Sequence, residues 1–261
     1  MSSTVNELFQ TAHQEGVLSG QSLNVLTGAA DIGPKIQAAL GVPVDDVMAS
    51  EVVLLTMMVD DSGSIRAMNN EPIVRNGHNL VIAAERGSKA RDSILVHTLY
   101  LNGGILYPYV LVDQAEVMDD VNYQANGGTP LYDQTVVLLG TVMAKAQEFV
   151  GNGVPVRTVT LIITDGHDEH SLRFRAKDVV PIVTDMLRAE DHIVAAMGID
   201  DGVTDFRAVF REMGIRDEWI LTPANTEKEI RASFQTFSQS AVRASQSAVS
   251  FSQTAIGGFG K

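Results

Sequence analysis

Residues 51–64 read EVVLLTMMVDDSGS, an unbroken apolar run that stops at an acid and is followed by two serines. A continuous run of Val, Leu and Met predicts a strand that is buried on both faces, as in a parallel sheet. Asp60 would stand at the carboxyl end of this strand, with Ser62 and Ser64 just beyond it. Open α/β sheets bind ligands beyond the carboxyl ends of their strands, so this stretch is a candidate binding loop.

The rest of the chain alternates strand-like and helix-like segments. Apolar runs predict strands at 51–59, 93–101, 105–112, 156–164, 192–199 and 218–223. Helical spacing of apolar residues predicts helices at 70–87, 129–149, 175–191 and 205–214. Since the second and third strands are joined only by NGG, they predict a hairpin. We therefore predict an α/β domain with a Rossmann-like, doubly wound and mostly parallel sheet, one antiparallel edge strand, and helices on both faces.

Both ends of the chain differ from this central region. Residues 1–50 contain the amphipathic stretch VNELFQTAHQ, then loops rich in Gly and Ser, then IGPKIQAALG. We interpret them as a helical prefix that packs on the domain. The main domain is expected at 51–235, and residues 236–261 form a tail. Asn225 is the predicted N-cap of a long final helix that leads into the tail.

The tail contains a seven-residue repeat. Residues 237–257 align as FSQSAVR, ASQSAVS and FSQTAIG, with the same positions apolar in each unit. Steps of four and three between apolar residues predict a helix with one apolar stripe and an almost uncharged opposite side. The stripe could dock on its own domain, or it could face another chain and build a homo-oligomer. The repeat does not distinguish these two interpretations.

Composition excludes several classes of function. The 261 residues contain 19 Lys and Arg against 32 Asp and Glu, for a net charge of −13. Such a chain lacks the basic excess that binding to nucleic acid or to an anionic membrane surface requires. The absence of cysteine excludes disulfides and thiolate metal sites. With neither a signal peptide nor a membrane-spanning run evident, we expect a cytoplasmic, microbial protein.

Oxygen-bearing side chains recur at three places along the predicted sheet edge. The first is Asp60-x-Ser62-x-Ser64. The second is the sequence GGTPLYD at 127–133, which contains Thr129 as a predicted N-cap before Pro130. The third is the sequence TDG at 164–166, which contains Asp165. One such motif occurs easily by chance, but three in order at strand ends or helix starts are a strong signal.

This arrangement resembles the von Willebrand factor A (VWA) family and its metal-ion-dependent adhesion site (MIDAS). The family pattern is D-x-S-x-S, then a loop threonine, then an aspartate after a buried strand, and the resemblance covers about residues 51–235. It implies five metal ligands: Asp60, Ser62, Ser64, Thr129 and Asp165. It further implies that at least one carboxylate acts through water. An acidic side chain of a partner protein would then complete the coordination of the ion. Bacterial intracellular members of the family often work beside AAA-type ATPases or within stress-resistance and defence gene clusters. The resemblance therefore implies an AAA-type ATPase, or another component of the same gene cluster, as partner.

The proposed ligands suit a hard cation. Mg²⁺ prefers oxygen ligands in an octahedron and keeps some of its waters, so we expect Mg²⁺, with Mn²⁺ and Ca²⁺ as alternatives. Each motif also has an ordinary explanation, in which the serines and Thr129 cap helices and Asp165 occupies a turn. The run His167–His170 is interpreted as a solvated loop, Asp61 as a neighbour of the site, and Asp133 as a first-turn helix charge.

Three functions remain open from the sequence. The favoured one is a non-enzymatic, cation-dependent protein-binding module. The second is a Mg²⁺-dependent phosphohydrolase with Asp60 as nucleophile, although Ser62 stands where such enzymes carry a second acid. The third is an oligomeric scaffold assembled through the C-terminal helix.

Overall fold

The computed structural model describes residues 4–246 and 257–259, which form a single six-stranded sheet with its helices. The strands are β1 Val52–Val59, β2 Ile94–Tyr100, β3 Ile105–Leu111, β4 Val156–Thr164, β5 His192–Gly198 and β6 Ile220–Leu221. Every residue of β1, β2, β4 and β5 is buried, so both faces of the sheet are covered. The apolar runs of the sequence therefore correspond to central strands.

The strand order is β3-β2-β1-β4-β5-β6. All neighbouring pairs are parallel except β2 with β3, which form the antiparallel hairpin at one edge. This confirms the predicted doubly wound, mostly parallel α/β sheet. The chain reverses its direction of travel across the sheet between β1 and β4, and a crevice opens at such a point beyond the carboxyl ends of the two strands.

The described residues form nine α-helices. They are α1 Val5–Gln14, α2 Gly20–Thr27, α3 Ile32–Ala39, α4 Gly63–Ala67, α5 Glu71–Arg86, α6 Leu131–Val150, α7 Ala176–Ala189, α8 Phe206–Glu212 and α9 Glu227–Gln246. None of them combines the length and apolarity needed to cross a bilayer. Helix α2 lies where the sequence suggested only loops, and the Ser19 side chain caps it by accepting a hydrogen bond from the Ser22 N–H at 3.2 Å.

The N-terminal helices pack on α6. Phe9, Leu26 and Ile36 are buried, one from each of α1, α2 and α3. A Cβ on Gly140 of α6 would lie 2.7 Å from Ile36 Cδ1 and 2.9 Å from Leu26 Cδ2, so the prefix and α6 are in direct contact. These side chains belong to the same apolar cluster as the sheet. The boundary at residue 50 therefore stays a prediction.

Helix α9 packs against α5 along the apolar stripe seen in the sequence. The buried stripe residues within α9 are Ile230, Phe234, Phe237, Ala241 and Ala244. The helix is continuous through residue 236, where the tail was predicted to begin. Part of the repeat is thus docked on its own domain, and residues 247–256 lie outside the described residues.

The cap of α9 differs from the prediction. Thr226, not Asn225, precedes the helix and accepts a hydrogen bond from the Glu229 N–H at 3.3 Å. Thr226 O also accepts from the Ile230 N–H at 3.0 Å, which starts the helical ladder. The Thr226 hydroxyl caps the helix in place of the predicted Asn225 side chain, because the helix begins one residue later than predicted.

A buried acid lies between α5 and α9. Glu85 is 1% exposed, and its Oε2 accepts a hydrogen bond from Ser245 Oγ at 3.3 Å. Burial raises the pKa of Glu85 from 4.5 to about 7, and the Ser245 hydrogen bond opposes that rise. Because the pKa is higher in the folded state, Glu85 does not lower the free energy of unfolding below pH 4.5, where its carboxyl is neutral in both states. It lowers that free energy as pH rises from 4.5 through 7.

We expect Glu85→Gln to raise the free energy of unfolding at pH 8 by roughly 1–3 kcal/mol. At pH 4 the variant and the wild type should be equally stable, since both side chains are then neutral. Urea denaturation at the two pH values checks this. An equal gain at pH 4 and pH 8 would show that the effect does not come from ionisation of Glu85.

Candidate metal centre

The two predicted acidic ligands lie side by side at the crevice. Asp60 directly follows β1 and Asp165 directly follows β4, the two parallel neighbours at which the strand order reverses. Both carboxylates are buried, with 0% and 3% of the residue exposed. The topology therefore brings two residues that are far apart in sequence to one point of the sheet edge.

A chain of hydrogen bonds joins three of the predicted ligands. Ser62 Oγ lies 2.9 Å from Ser64 Oγ, and Ser64 Oγ donates to Asp165 Oδ1 at 2.5 Å. Ser62 occupies the N-cap position of α4, but its side chain makes no capping bond. The two hydroxyls are thus directed to Asp165, and the capping explanation does not hold for Ser62.

Asp60 is fixed by its surroundings on both carboxylate oxygens. Oδ1 accepts from the Ser62 N–H at 2.7 Å. Oδ2 accepts from Thr164 Oγ1 at 2.7 Å and from the Asp165 N–H at 3.3 Å. The backbone carbonyl of Asp60 accepts a further hydrogen bond from the Tyr123 hydroxyl at 2.5 Å. Asp60 therefore organises the loops around it and offers little free surface of its own.

Thr129 lies next to the third motif, although it does not cap α6. Helix α6 begins at Leu131, and Pro130 occupies the cap position without a side-chain bond. The prediction of Thr129 as N-cap is therefore wrong, because Pro130 adopts the non-helical conformation that the cap requires. A Cβ on Gly166 would lie 3.6 Å from Thr129 Oγ1, which places the threonine hydroxyl beside the loop that carries Asp165.

Backbone hydrogen bonds hold the threonine loop against the first motif. The Gly63 N–H donates to Gly127 O at 2.9 Å, and the Gly127 N–H donates to Asp61 O at 3.0 Å. A short parallel bridge between Ser62 and Gly127 results. The five predicted ligands thus lie on three loops that are either bonded to one another or in contact.

Comparisons with known proteins identify the fold. No family model matches the sequence, and no curated protein matches it. Among solved structures, the chain is similar to proximal thread matrix protein 1 from the mussel byssus, determined with a zinc-occupied MIDAS motif. That match has a TM-score of 0.52 and 16% identity, and covers 74% of this chain and 46% of that one. The chain has the von Willebrand factor A fold.

Other structures with this fold are equally distant. The pilus adhesin SpaC from Lactobacillus rhamnosus GG matches with a TM-score of 0.53 and 14% identity, over 74% of this chain and 31% of that one. A match to von Willebrand factor type A from Catenulispora acidiphila, with a TM-score of 0.47, is too weak to add to the argument. This chain spans less than half the length of the first two proteins. At such identities the likeness shows the VWA fold alone.

One residue that holds the candidate site together was missed in the sequence. Asn102, in the NGG turn of the hairpin, donates from Nδ2 to Asp61 Oδ1 at 2.7 Å and to Gly128 O at 3.0 Å. Its Oδ1 accepts from the Gly128 N–H at 3.0 Å. The side chain therefore links the first motif to the threonine loop. The sequence did carry one signal for this role: Asn102 follows the carboxyl end of β2, at the same edge of the sheet as the three motifs.

Asn102 also explains the first glycine of GGT. A Cβ on Gly127 would lie 2.1 Å from Asn102 Nδ2, and a Cβ on Gly128 would lie 2.8 Å from the His170 ring. Neither position has room for a side chain, since real Cβ contacts are never this short. The two glycines let the threonine loop approach its neighbours closely.

We expect Gly127→Ala to weaken cation binding by about 10- to 100-fold, the range seen when groups that orient metal ligands are disturbed. The added methyl must displace Asn102 and with it the loop that carries Thr129. Isothermal titration with Mg²⁺ measures the change. Gly63→Ala is the matched control, since its Cβ would come no closer than 3.8 Å to Gly127 O. Equal losses in the two variants would contradict the role of Asn102.

The loop at 167–170 is less detached than predicted. His170 Nδ1 accepts from the Thr129 N–H at 2.9 Å, and Asp168 Oδ1 accepts from the Tyr132 N–H at 3.2 Å. Asp133 accepts from the Phe174 N–H at 2.7 Å, so it fastens the same loop. These side chains support the threonine loop. The periodicity of the sequence cannot reveal this role, because it depends on contacts between separate segments.

The charges in the site favour a cation. Burial raises the pKa of Asp165 to about 7; the Ser64 hydrogen bond lowers it, and the negative charges of Asp60 and Asp201 raise it. Burial also raises the pKa of Asp60, against hydrogen bonds from Ser62 and Thr164. Asp165 Oδ2 is buried and has no hydrogen-bond partner within residues 4–246 and 257–259. An unpaired buried carboxylate oxygen is costly unless it binds a cation.

The donor set fits a hard divalent ion. No group of three or more His, Cys, Asp or Glu side chains suited to a metal occurs in the described part of the chain. The predicted ligands are instead two carboxylates and three hydroxyls, a set of oxygens that suits Mg²⁺, Mn²⁺ or Ca²⁺ better than softer metals. The residues present at the crevice therefore fit the group that the VWA resemblance implies.

Proposed function

We propose that this protein is a divalent-cation-dependent protein-binding module, with Mg²⁺ as the ion and an acidic side chain of a partner as its guest. The observation that carries the proposal is the Ser62–Ser64–Asp165 hydrogen-bond chain, which ends at a buried carboxylate with one oxygen unpartnered. Hydroxyls and a carboxylate that converge in this way are arranged as a cation site requires.

The residues divide into two roles. The hydroxyls of Ser62, Ser64 and Thr129 and the carboxylate of Asp165 would hold the ion. Asp60 would act through water, because both of its oxygens already accept protein hydrogen bonds. The Asp165 carboxylate would offset one of the ion's two charges and the neutral hydroxyls none, so the bound ion would supply an electrophilic position for an outside carboxylate.

Exposed apolar side chains near the site support a protein partner. Leu172 and Val203, on the loops that follow β4 and β5, are 92% and 90% exposed, and Met68, at the end of α4, is 47% exposed. Val121 is 79% exposed. It is held near the end of β2, because the carbonyl of the next residue, Asn122, accepts a hydrogen bond from the Tyr100 hydroxyl at 2.8 Å. Exposed apolar groups surrounded by polar ones are a feature of protein interaction surfaces.

The partner and setting follow by analogy with the VWA family. An AAA-type ATPase, or another component of one gene cluster, would supply the Asp or Glu. A bacterial, cytoplasmic setting is part of the same proposal. Attraction of the ion by a chain with a net charge of −13 supports cation loading. The same charge repels an acidic partner only within about one screening length, roughly 8 Å at physiological salt.

The structure offers little support for a phosphohydrolase. A nucleophilic Asp60 would need a free oxygen, but the residue is 0% exposed and both oxygens are engaged. We therefore propose that the protein is not an enzyme. Incubation with Mg²⁺ and a generic phosphate ester tests this, since turnover that disappears in Asp60→Asn would refute it.

Assembly through the tail is a weaker alternative. Phe237, Ala241 and Ala244 of the repeat are buried in the domain itself, which leaves less of the stripe for another chain. Sedimentation of the full chain and of a chain ending at residue 246 would separate the cases. A mass that falls to the monomer only in the shorter chain would favour the scaffold.

Partner capture tests the proposed function directly. Lysate of the native cell is passed over immobilised wild type, with Mg²⁺ or with a chelator, and over Thr129→Ala and Thr27→Ala. Thr27 lies in α2, where its hydroxyl donates to Leu23 O at 2.7 Å. We expect a partner that is retained by wild type and Thr27→Ala with Mg²⁺, and is lost with the chelator or with Thr129→Ala. Equal retention under all conditions would contradict a cation-dependent interface.

A further inference from the structure

A cavity lies between α3, α6 and the β2–β3 hairpin. Its volume is about 300 Å³, and Ala38, Leu99, Ile105 and Val137 supply much of its apolar lining. None of the five predicted metal ligands borders it. Pockets that hold small molecules are of this kind, mostly apolar with a few convergent polar groups.

Two buried polar side chains line this cavity without protein partners. His97 is 1% exposed and Gln134 is 7% exposed. Neither His97 Nε2 nor Gln134 Oε1 has a hydrogen-bond partner among the residues that the structure describes. Such groups are costly to bury unless something bonds to them, so their presence in an apolar cavity points to an occupant.

The chemistry of both atoms can be assigned. His97 Nδ1 lies 2.8 Å from Tyr107 O, and a carbonyl only accepts, so Nδ1 carries the proton. Burial lowers the pKa of His97 to about 4, which leaves Nε2 as a neutral acceptor at pH 7. Gln134 Oε1 is also an acceptor. An occupant that satisfies these atoms must donate hydrogen bonds.

The rim of the cavity excludes one class of donor. Lys35 borders the cavity, and although its ammonium lies 3.7 Å from the Asp31 carboxylate, both side chains are half exposed. The Lys35 ammonium at the rim would repel an organic cation, and the two acceptors inside the cavity are neutral and would not compensate its charge. A neutral molecule has neither problem.

We propose that this cavity is a binding site for a compact, neutral, largely apolar molecule that carries a hydroxyl or amide N–H donor. The apolar walls bury the body of the molecule, and His97 Nε2 and Gln134 Oε1 accept its hydrogen bonds. This site is independent of the proposed metal-dependent function, since it shares no ligand residue with the metal centre.

Phenol and toluene are suitable probes, because they have the same number of heavy atoms and only phenol has a donor. Dissociation constants are measured on the full chain by NMR titration. We expect phenol to bind about tenfold more tightly than toluene, which corresponds to one satisfied buried hydrogen bond. Gln134→Met, which removes one acceptor and keeps the side-chain length, should reduce this preference.

Ala38→Trp provides a test that leaves both acceptors in place. Ala38 is exposed at the rim, so an indole there would block the cavity without entering the core. We expect this variant to lose phenol binding, whereas the matched Ala38→Ser variant should bind like the wild type. The proposal would be overturned if toluene bound as tightly as phenol, if neither probe bound, or if Ala38→Trp titrated like the wild type.

Discussion

Magnesium is expected to raise the free energy of unfolding of the wild-type protein by about 2.7 kcal/mol when the free ion is at 100 times its dissociation constant. For a domain of this size, that gain corresponds to a rise in melting temperature of roughly 5–10 °C. Asp165→Asn should abolish the gain, since it removes the buried carboxylate to which Ser64 donates and whose Oδ2 has no partner in the described chain. Thermal unfolding with Mg²⁺ and with a chelator measures both values.

A distant acid provides the control for this experiment. Asp92→Asn makes the same charge change at a carboxylate that is 90% exposed, near the start of β2 and so at the opposite edge of the sheet. Its response to Mg²⁺ should match that of the wild type. If Asp165→Asn were still stabilised as strongly as the wild type, the ion would be binding elsewhere and the proposed site would be wrong.

Phe234→Ala is expected to lower the free energy of unfolding by about 3–5 kcal/mol, as for other large side chains removed from cores. Phe234 is 0% exposed at the contact between α9 and α5, where its ring fills the space above Gly77. Gln235→Ala, at the next and exposed position, should change stability by less than about 0.5 kcal/mol. Urea denaturation compares the two. If both variants changed the free energy of unfolding by the same small amount, the packing of α9 on α5 would not contribute to stability.

Gly77→Ala tests the same contact from the other side. Its Cβ would lie 2.1 Å from the Phe234 ring, so the substitution alone should destabilise the fold by about 1–3 kcal/mol through overpacking. In the Phe234→Ala background the added methyl should fit into the vacated space. We therefore expect the double variant to be more stable than the sum of the single effects indicates. Simple additivity would contradict direct contact between these residues.

The fold was largely predictable because its signals are local. Central strands of a parallel sheet are buried on both faces, so they appear in the sequence as unbroken apolar runs, and β1, β4 and β5 lie where those runs do. Helix ends were less predictable. Thr129 and Asn225 were each expected to cap a helix, but the helices begin one or two residues later. A cap depends on the conformation of one residue, which composition constrains only weakly.

The predicted ligands were identified from spacing and resemblance, and their mutual geometry came only from the structure. Ser64 and Asp165 are 101 residues apart, and their hydrogen bond exists because β1 and β4 are neighbours in the sheet. The supporting role of Asn102 could not be recognised in advance, since asparagine in a turn is ordinary. Its importance comes from the two loops that it joins.

By itself, the sequence determined the strands, the longer helices of the main domain and which polar residues stand at strand ends, since these follow from local patterns of burial. It did not reveal α2. The tertiary structure decided which of those residues meet, that α9 buries its stripe within its own domain as far as residue 246, and that His97 and Gln134 line one cavity. These features depend on contacts between distant segments. Such contacts are set by strand order and packing, which leave no periodic trace in the chain.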